Sequence, residues 1–223
     1  MERFEGIILD MDGTITDTMP LWARVAPAIY RRYGLPMEGV EQVIRDMYFR
    51  SLTQSAQWFI QTFSLKEEPE RIVDLARQVM AEAYRSDAVL KEGAADYLRA
   101  RWQEGIPMCV ATASDRELAR EVLEKLGVMG YLRFVISCEE LSTDKNHPEI
   151  FLEAARRMGT APERTAVFED SPHCLETAGK AGFIPVGFAE PVWEFARERM
   201  KAASRVYVSG FPELSRMTGR LGA

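Results

Sequence analysis

The chain has 223 residues, 47% of them hydrophobic, which is enough apolar material for one sizeable core or two unequal ones. Its 34 acidic against 28 basic side chains leave a formal charge of −6, which argues against nucleic acid or an anionic membrane as a partner of the surface as a whole. No apolar run reaches the roughly 20 residues that span a bilayer, and the first residues show no basic-then-apolar leader. Cys109, Cys138 and Cys174 are odd in number and widely spaced, so neither disulfides nor a zinc site is expected and a reducing, cytoplasmic setting is.

The first element is a strand at 6–9, Gly6-Ile7-Ile8-Leu9, whose tip carries Asp10 and Asp12 two residues apart before Gly13 allows a tight turn. Helical patterning then runs from Leu21 to Ser86 without a strand signal. Leu21, Trp22, Val25, Ile29 and Tyr33 share one face that ends at Gly34 and Pro36, with Pro27 marking a kink or a later start. Ser51-Leu52-Thr53-Gln54 has capping-box form ahead of Ala56, Phe59, Ile60 and Phe63. Beyond this stretch, strands are expected at 107–111, 134–137, 165–168, 184–187 and 205–208. Helices are expected at 94–103, 115–126, 148–158, 172–180 and 194–203. Nearly unbroken apolar strands alternating with amphipathic helices predict a parallel sheet covered on both faces, an α/β Rossmann-like core. The division expected is a core of residues 1–16 and 90–223 and an inserted all-helical domain of 17–89.

Four loops at the carboxyl ends of four expected strands carry reactive groups, where ligands of such sheets sit. The first holds Asp10 and Asp12; a carboxylate attacks an anionic phosphate only where a cation masks the repulsion, and a second acid can move the leaving-group proton. The second, Thr112-Ala113-Ser114, opens a helix whose N-terminal N–H groups make a phosphate cradle. There Ser114 is expected to cap the helix and Thr112 to bond phosphate. The third loop offers Lys145 just ahead of a helix beginning at Pro148. The fourth ends Glu169-Asp170-Ser171-Pro172; two acids leaving an apolar strand need a cation, and with Asp10 and Asp12 they suit magnesium.

In order and spacing, Asp10-Met11-Asp12-Gly13-Thr14, Thr112, Lys145 and Glu169-Asp170 resemble the four motifs of the haloacid dehalogenase-like hydrolase superfamily. The subgroup resembled is that of phosphoglycolate phosphatases and β-phosphoglucomutases with a helical cap. The resemblance implies Asp10 as the nucleophile that forms an aspartyl-phosphate, and Asp12 as general acid and then base. It implies Gly13, Thr112, Ala113 and Lys145 around the phosphoryl group. Magnesium would be held by the Asp10 carboxylate, the Asp12 backbone carbonyl and Asp170, with Glu169 a direct or water-mediated helper. Asn146 and Glu92 stand where the family often has proline, and neither carries a reacting group.

Asp12 favours phosphate esters over dehalogenation or phosphonate cleavage, whose enzymes usually lack it. Sugar phosphomutases of this kind typically carry Thr-Arg-Gly in the cap and a lysine soon after the second motif; this chain has Arg50-Ser51-Leu52 and Asp115-Arg116. The activity expected is therefore magnesium-dependent hydrolysis of a small phosphorylated metabolite, with the phosphomutase as the alternative and a non-catalytic phosphate binder after it. Arg45, Tyr48, Arg50 and Trp58 stand out in the helical insertion, each read as packing or surface. The oligomeric state is left open, a monomer being compatible with the sequence.

Overall fold

The computed structural model describes residues 4–48 and 50–219. The chain forms two compact units, residues 18–88 and the remainder on either side of that segment. In the larger unit six strands, β1 (Gly6–Leu9), β2 (Met108–Thr112), β3 (Val135–Ser137), β4 (Thr165–Glu169), β5 (Ile184–Phe188) and β6 (Val206–Val208), form one parallel sheet. Their order, β3-β2-β1-β4-β5-β6, makes the crossovers run in opposite directions from β1. The gap between β1 and β4 is thus a topological switch point, where such sheets open a crevice at the strand tips.

The unbroken apolar strands are buried on both faces because alternate residues meet different layers. Ile8, Cys109, Ala111 and Val167 pack with Ile150, Phe151, Ala154 and Met158 of α8 (Glu149–Met158) and with Cys174 and Ala178 of α9 (Pro172–Lys180). Phe168, one residue further along β4, instead meets Tyr97 of α6 (Ala94–Gln103) at 5.8 Å and Phe188 at 5.5 Å, while Phe188 meets Phe211 of α11 (Phe211–Gly219) at 4.8 Å. Aromatic pairs of this kind add roughly 0.5–1.5 kcal/mol each beyond the area they bury. All three cysteines are buried free thiols.

In the helical unit α1 (Met19–Trp22) and α2 (Val25–Tyr33) break at Ala23 and Arg24, so the single apolar face read from Leu21 to Tyr33 belongs to two helices. Pro27 sits in the first turn of α2, where a missing N–H has no helical acceptor to lose. Next come α3 (Val40–Met47), α4 (Leu52–Phe63) and α5 (Pro69–Asp87). The Ser51 capping box is present in full, and Tyr30 meets Phe59 and Phe63 edge-on at 6.0 and 5.4 Å. Trp58 carries the Arg50 guanidinium over its ring at 5.2 Å, the Tyr48 hydroxyl donates to the Met19 carbonyl, and Arg45 donates to Gln42.

Several boundaries differ from the sequence reading by a residue, and three differences bear on the site or the core. Thr112 and Glu169 are the last residues of β2 and β4, paired with Ser137 and Gly187, rather than loop residues. The helix expected at 194–203 is a 3-10 turn over Pro191–Ala196 followed by α10 (Arg197–Ala203). Helix α11 has no counterpart in the expected elements; it begins at Phe211-Pro212, directly after Gly210, in a run that reads as a turn. No helix of the described residues is long and apolar enough to cross a membrane.

Candidate active site

The sheet fixes the backbone of the site. Asp10 extends the β1–β4 ladder by one step, its N–H donating to the Phe168 carbonyl at 2.9 Å, which sets its Cα beside Glu169. The chain then turns back: the Ile15 and Thr16 N–H groups both donate to the Met11 carbonyl, and Gly13 takes φ +82°, a left-handed conformation that suits glycine. The Gly13 N–H donates to the Thr16 carbonyl at 2.9 Å, so this amide is used inside the turn, and Gly13 contributes the turn's shape.

Lys145 comes from the loop between β3 and α8. The Asp144 carboxylate accepts from the Asn146 N–H at 2.8 Å, a local turn that directs the next side chain inward. There the Lys145 ammonium, buried with the carboxylates, donates to Asp10 Oδ1 and, at 2.6 Å, to Glu169 Oε1. Asp170 completes the group: one oxygen from each of Asp10, Glu169 and Asp170 lies within 4.8 Å of the others. The Asp170 Oδ2 atom is buried without a hydrogen-bond partner. Pro148 precedes α8 by one residue, so the helix starts one position later than its sequence suggests.

Three buried carboxylates facing one ammonium leave an excess of negative charge. Burial pushes the Asp10 carboxyl up to about 8 against the pull of Lys145, with the charges of Glu169 and Asp12 adding to the rise. Burial likewise holds Asp170 well above the usual carboxylate range, helped by Glu169 and Asp10. Burial works against the charge on Lys145, yet Asp10 and Glu169 outweigh it and keep the ammonium far above the ordinary lysine value. A hard divalent cation meets this demand: oxygen donors only, clustered, with one acceptor unused. The residues present therefore fit magnesium.

Asp12 is placed differently. Its carboxylate is not in the acidic cluster; Oδ2 accepts from the Ser114 hydroxyl at 2.9 Å. The expectation for Ser114 is thereby corrected. The cap of α7 (Arg116–Lys125) is Asp115, whose carboxylate accepts from the Leu118 N–H at 2.8 Å, because the Ser114 N–H is held by Thr112 Oγ1 and the helix starts one residue later. Ser-Asp in succession offers two cap-forming residues, and that ambiguity was the sequence signal for a hydroxyl released to another task. Thr112 is almost wholly buried, and with its oxygen accepting from Ser114, the hydroxyl proton remains available for donation. Ala113, between them, is exposed.

A second, half-buried ion pair was not visible in the sequence. The Lys91 ammonium donates to Glu190, beyond the end of β5, and lies 3.7 Å from Asp17. Residues separated by 99 positions give no local pattern to read. Close by, the Asp17 N–H donates to the Val89 carbonyl and the Lys91 N–H to the Ile15 carbonyl, joining the two chain segments that flank residues 18–88.

An α/β sheet with an aspartate on its central strand and acids, lysine and hydroxyls gathered at neighbouring tips defines a Rossmann-like hydrolase architecture. The chain belongs to the haloacid dehalogenase-like hydrolase family, which it matches over residues 4–182. Among its relatives, the fructose-1-phosphate phosphatase YqaB of Escherichia coli K12 is 33% identical over 188 residues, 83% of this chain and 96% of that protein. The phosphoglycolate phosphatase of the same strain is 31% identical over 212 residues, covering 84% of this chain and 83% of that one. The crystal structure of a Clostridium difficile β-phosphoglucomutase shares the fold, with a TM-score of 0.79 at 20% identity over 98% of this chain and 96% of that one.

Proposed function

We propose that the protein is a magnesium-dependent phosphatase that hydrolyses a small phosphorylated metabolite through an aspartyl-phosphate. The observation that carries this reading is the arrangement of Asp10, Lys145, Glu169 and Asp170: a nucleophile held by an ammonium and set among acids that call for a divalent cation. Asp10, Glu169 and Asp170, with the Asp12 backbone carbonyl, would hold magnesium, which when bound supplies the positive charge that lets a carboxylate approach an anionic phosphoryl group.

Asp10 attacks phosphorus while Lys145 and the Thr112 hydroxyl steady the phosphoryl oxygens, with the Ala113 backbone N–H beside them. Asp12 gives a proton to the departing alkoxide. It then takes one from the water that hydrolyses the acyl phosphate, so that the enzyme returns to its starting protonation. The helical unit serves as the substrate-selecting cap. Hydrolysis is favoured over mutase chemistry because the position after Ser114 is Asp115, engaged as a helix cap, and because the fructose-1-phosphate and phosphoglycolate relatives, each above 30% identity, are named as phosphatases.

The reading is tested by colorimetric phosphate release from phosphorylated sugars, small phosphorylated acids and p-nitrophenyl phosphate, with magnesium and with EDTA. Turnover is expected only with magnesium, and Asp10→Asn should abolish it in a protein that still folds. Activity retained in Asp10→Asn would overturn the nucleophile assignment. Conversion of glucose 1-phosphate to glucose 6-phosphate in place of phosphate release would replace the phosphatase with a mutase.

A further inference from the structure

We infer that Ser114 is a positioning residue for Asp12, orienting the carboxylate that handles the leaving-group proton. The inference rests on the proposed role of Asp12 as general acid. Its own support is geometric: Ser114 is buried, its hydroxyl donates to Asp12 Oδ2 at 2.9 Å, and its N–H donates to Thr112 Oγ1 at 3.0 Å. One residue thus ties the first loop to the second through two different atoms. The cap of α7 is supplied by Asp115, whose carboxylate accepts from the Leu118 N–H, while the serine hydroxyl points to Asp12.

The bond has a chemical consequence. A hydroxyl donating to Oδ2 fixes the carboxylate rotamer and favours Oδ1 as the oxygen that carries the transferable proton. As the Asp10–phosphorus bond forms and the ester bond breaks, that proton passes from Asp12 Oδ1 to the leaving oxygen. In the second half the attacking water returns a proton to Asp12 as the Asp10–phosphorus bond breaks. Without the Ser114 hydroxyl the acid is still present but samples other rotamers, and its share of the rate falls.

The experiment compares kcat/KM, which ends at the first irreversible step, for p-nitrophenyl, phenyl and benzyl phosphate in the magnesium-loaded enzyme. A nitrophenolate leaves without a proton, a phenolate needs one more, and a benzyl alkoxide needs one most. Ser114→Ala is expected to hold kcat/KM within about twofold on p-nitrophenyl phosphate and to lose roughly tenfold or more on benzyl phosphate, a share of the 10²–10⁴ that a positioned acid supplies. Ser114→Thr, which keeps the hydroxyl, should restore the flat profile.

If Ser114→Ala does not fold, Ser114→Cys replaces it and should show the same slope, since a thiol donates only weakly. An equal loss on all three substrates would overturn the positioning role and leave only structural damage. Asp12→Asn run in parallel separates the two layers of argument. A steep profile there with a flat one in the serine variant defeats this inference alone. A flat profile in Asp12→Asn defeats the general-acid reading beneath it.

Discussion

Replacing Lys145 by methionine removes the ammonium from a buried group of three acids while keeping most of the side chain's apolar volume. Glu169 is 1% exposed and accepts from Lys145 at 2.6 Å, so the variant leaves a buried carboxylate stripped of its cation. Breaking one partner of a buried ion pair costs about 3–5 kcal/mol. For a protein of 150–250 residues each kcal/mol moves Tm by about 2–4 °C, so Lys145→Met should melt roughly 6–20 °C below the wild type in EDTA. Adding Glu169→Gln leaves a neutral amide where the orphaned charge stood, and the double variant should recover part of the loss. The assay is thermal unfolding of the four proteins of this cycle at pH 7 in EDTA. A Lys145→Met shift under about 2 °C, or a double variant that melts lower than the single, would refute the claim that this lysine neutralises buried acids.

In the wild type, magnesium at about 100 times its Kd should add about 2.7 kcal/mol of stability, and Asp170→Asn should abolish that increment in the same melting assay; an undiminished rise would remove Asp170 from the ligand set. In EDTA the Asp10 carboxyl, at about 8 in the folded chain against 3.8 in the unfolded one, contributes stability that is complete below pH 3.8 and lost as pH rises through 8. Wild type should therefore lose stability relative to Asp10→Asn by up to about 1.4 kcal/mol per pH unit between pH 5 and 8, and parallel curves would contradict the raised carboxyl. Ser51→Ala removes the Oγ that accepts from the Gln54 N–H at 3.1 Å and should cost about 1 kcal/mol, read as faster amide exchange at the start of α4; unchanged exchange there would mean that the capping box contributes nothing.

The sheet was legible because its strands are apolar on both faces, so Ile7-Ile8-Leu9 or Val110-Ala111 reads as a buried parallel strand with no knowledge of its neighbours. The Ser51 cap was legible for the opposite reason: every group that makes it lies within four residues. What escaped depends on distance in sequence or on competition between equivalent residues. Nothing local says that Lys91 finds Glu190 or that the segment following Gly210 closes the aromatic layer through Phe211. Ser114 and Asp115 both make good caps, and only the Thr112 bond to the Ser114 N–H decides which one does. Of the acids gathered in the site, Asp10, Glu169 and Asp170 could be guessed to converge from their places at strand tips. The Lys145 bridge between two of them is a tertiary fact.

Asp10 and Asp12 are the same side chain two positions apart, and an extended strand would point both to the same side of the sheet. The turn prevents this. With Ile15 and Thr16 both bonded to the Met11 carbonyl and Gly13 at positive φ, the turn begins at Met11, so Asp10 stays in line with the strand while Asp12 already lies inside the turn. Asp10 remains level with β4 and meets Lys145 and Glu169, whereas Asp12 faces the β2 loop and meets Ser114. The first is thus held by a buried cation among other acids, and the second is held by a neutral hydroxyl at a less enclosed position. A nucleophile needs the former, because approach to phosphate requires positive charge at the attacking group. A proton carrier needs the latter, because a neighbouring ammonium would oppose taking the proton up again. If Asp10 is the nucleophile and Asp12 the proton carrier, as proposed, the division of labour between two identical residues follows from the turn that begins at Met11 and takes Asp12 off the strand, and moving either acid to the other's position would cost both functions.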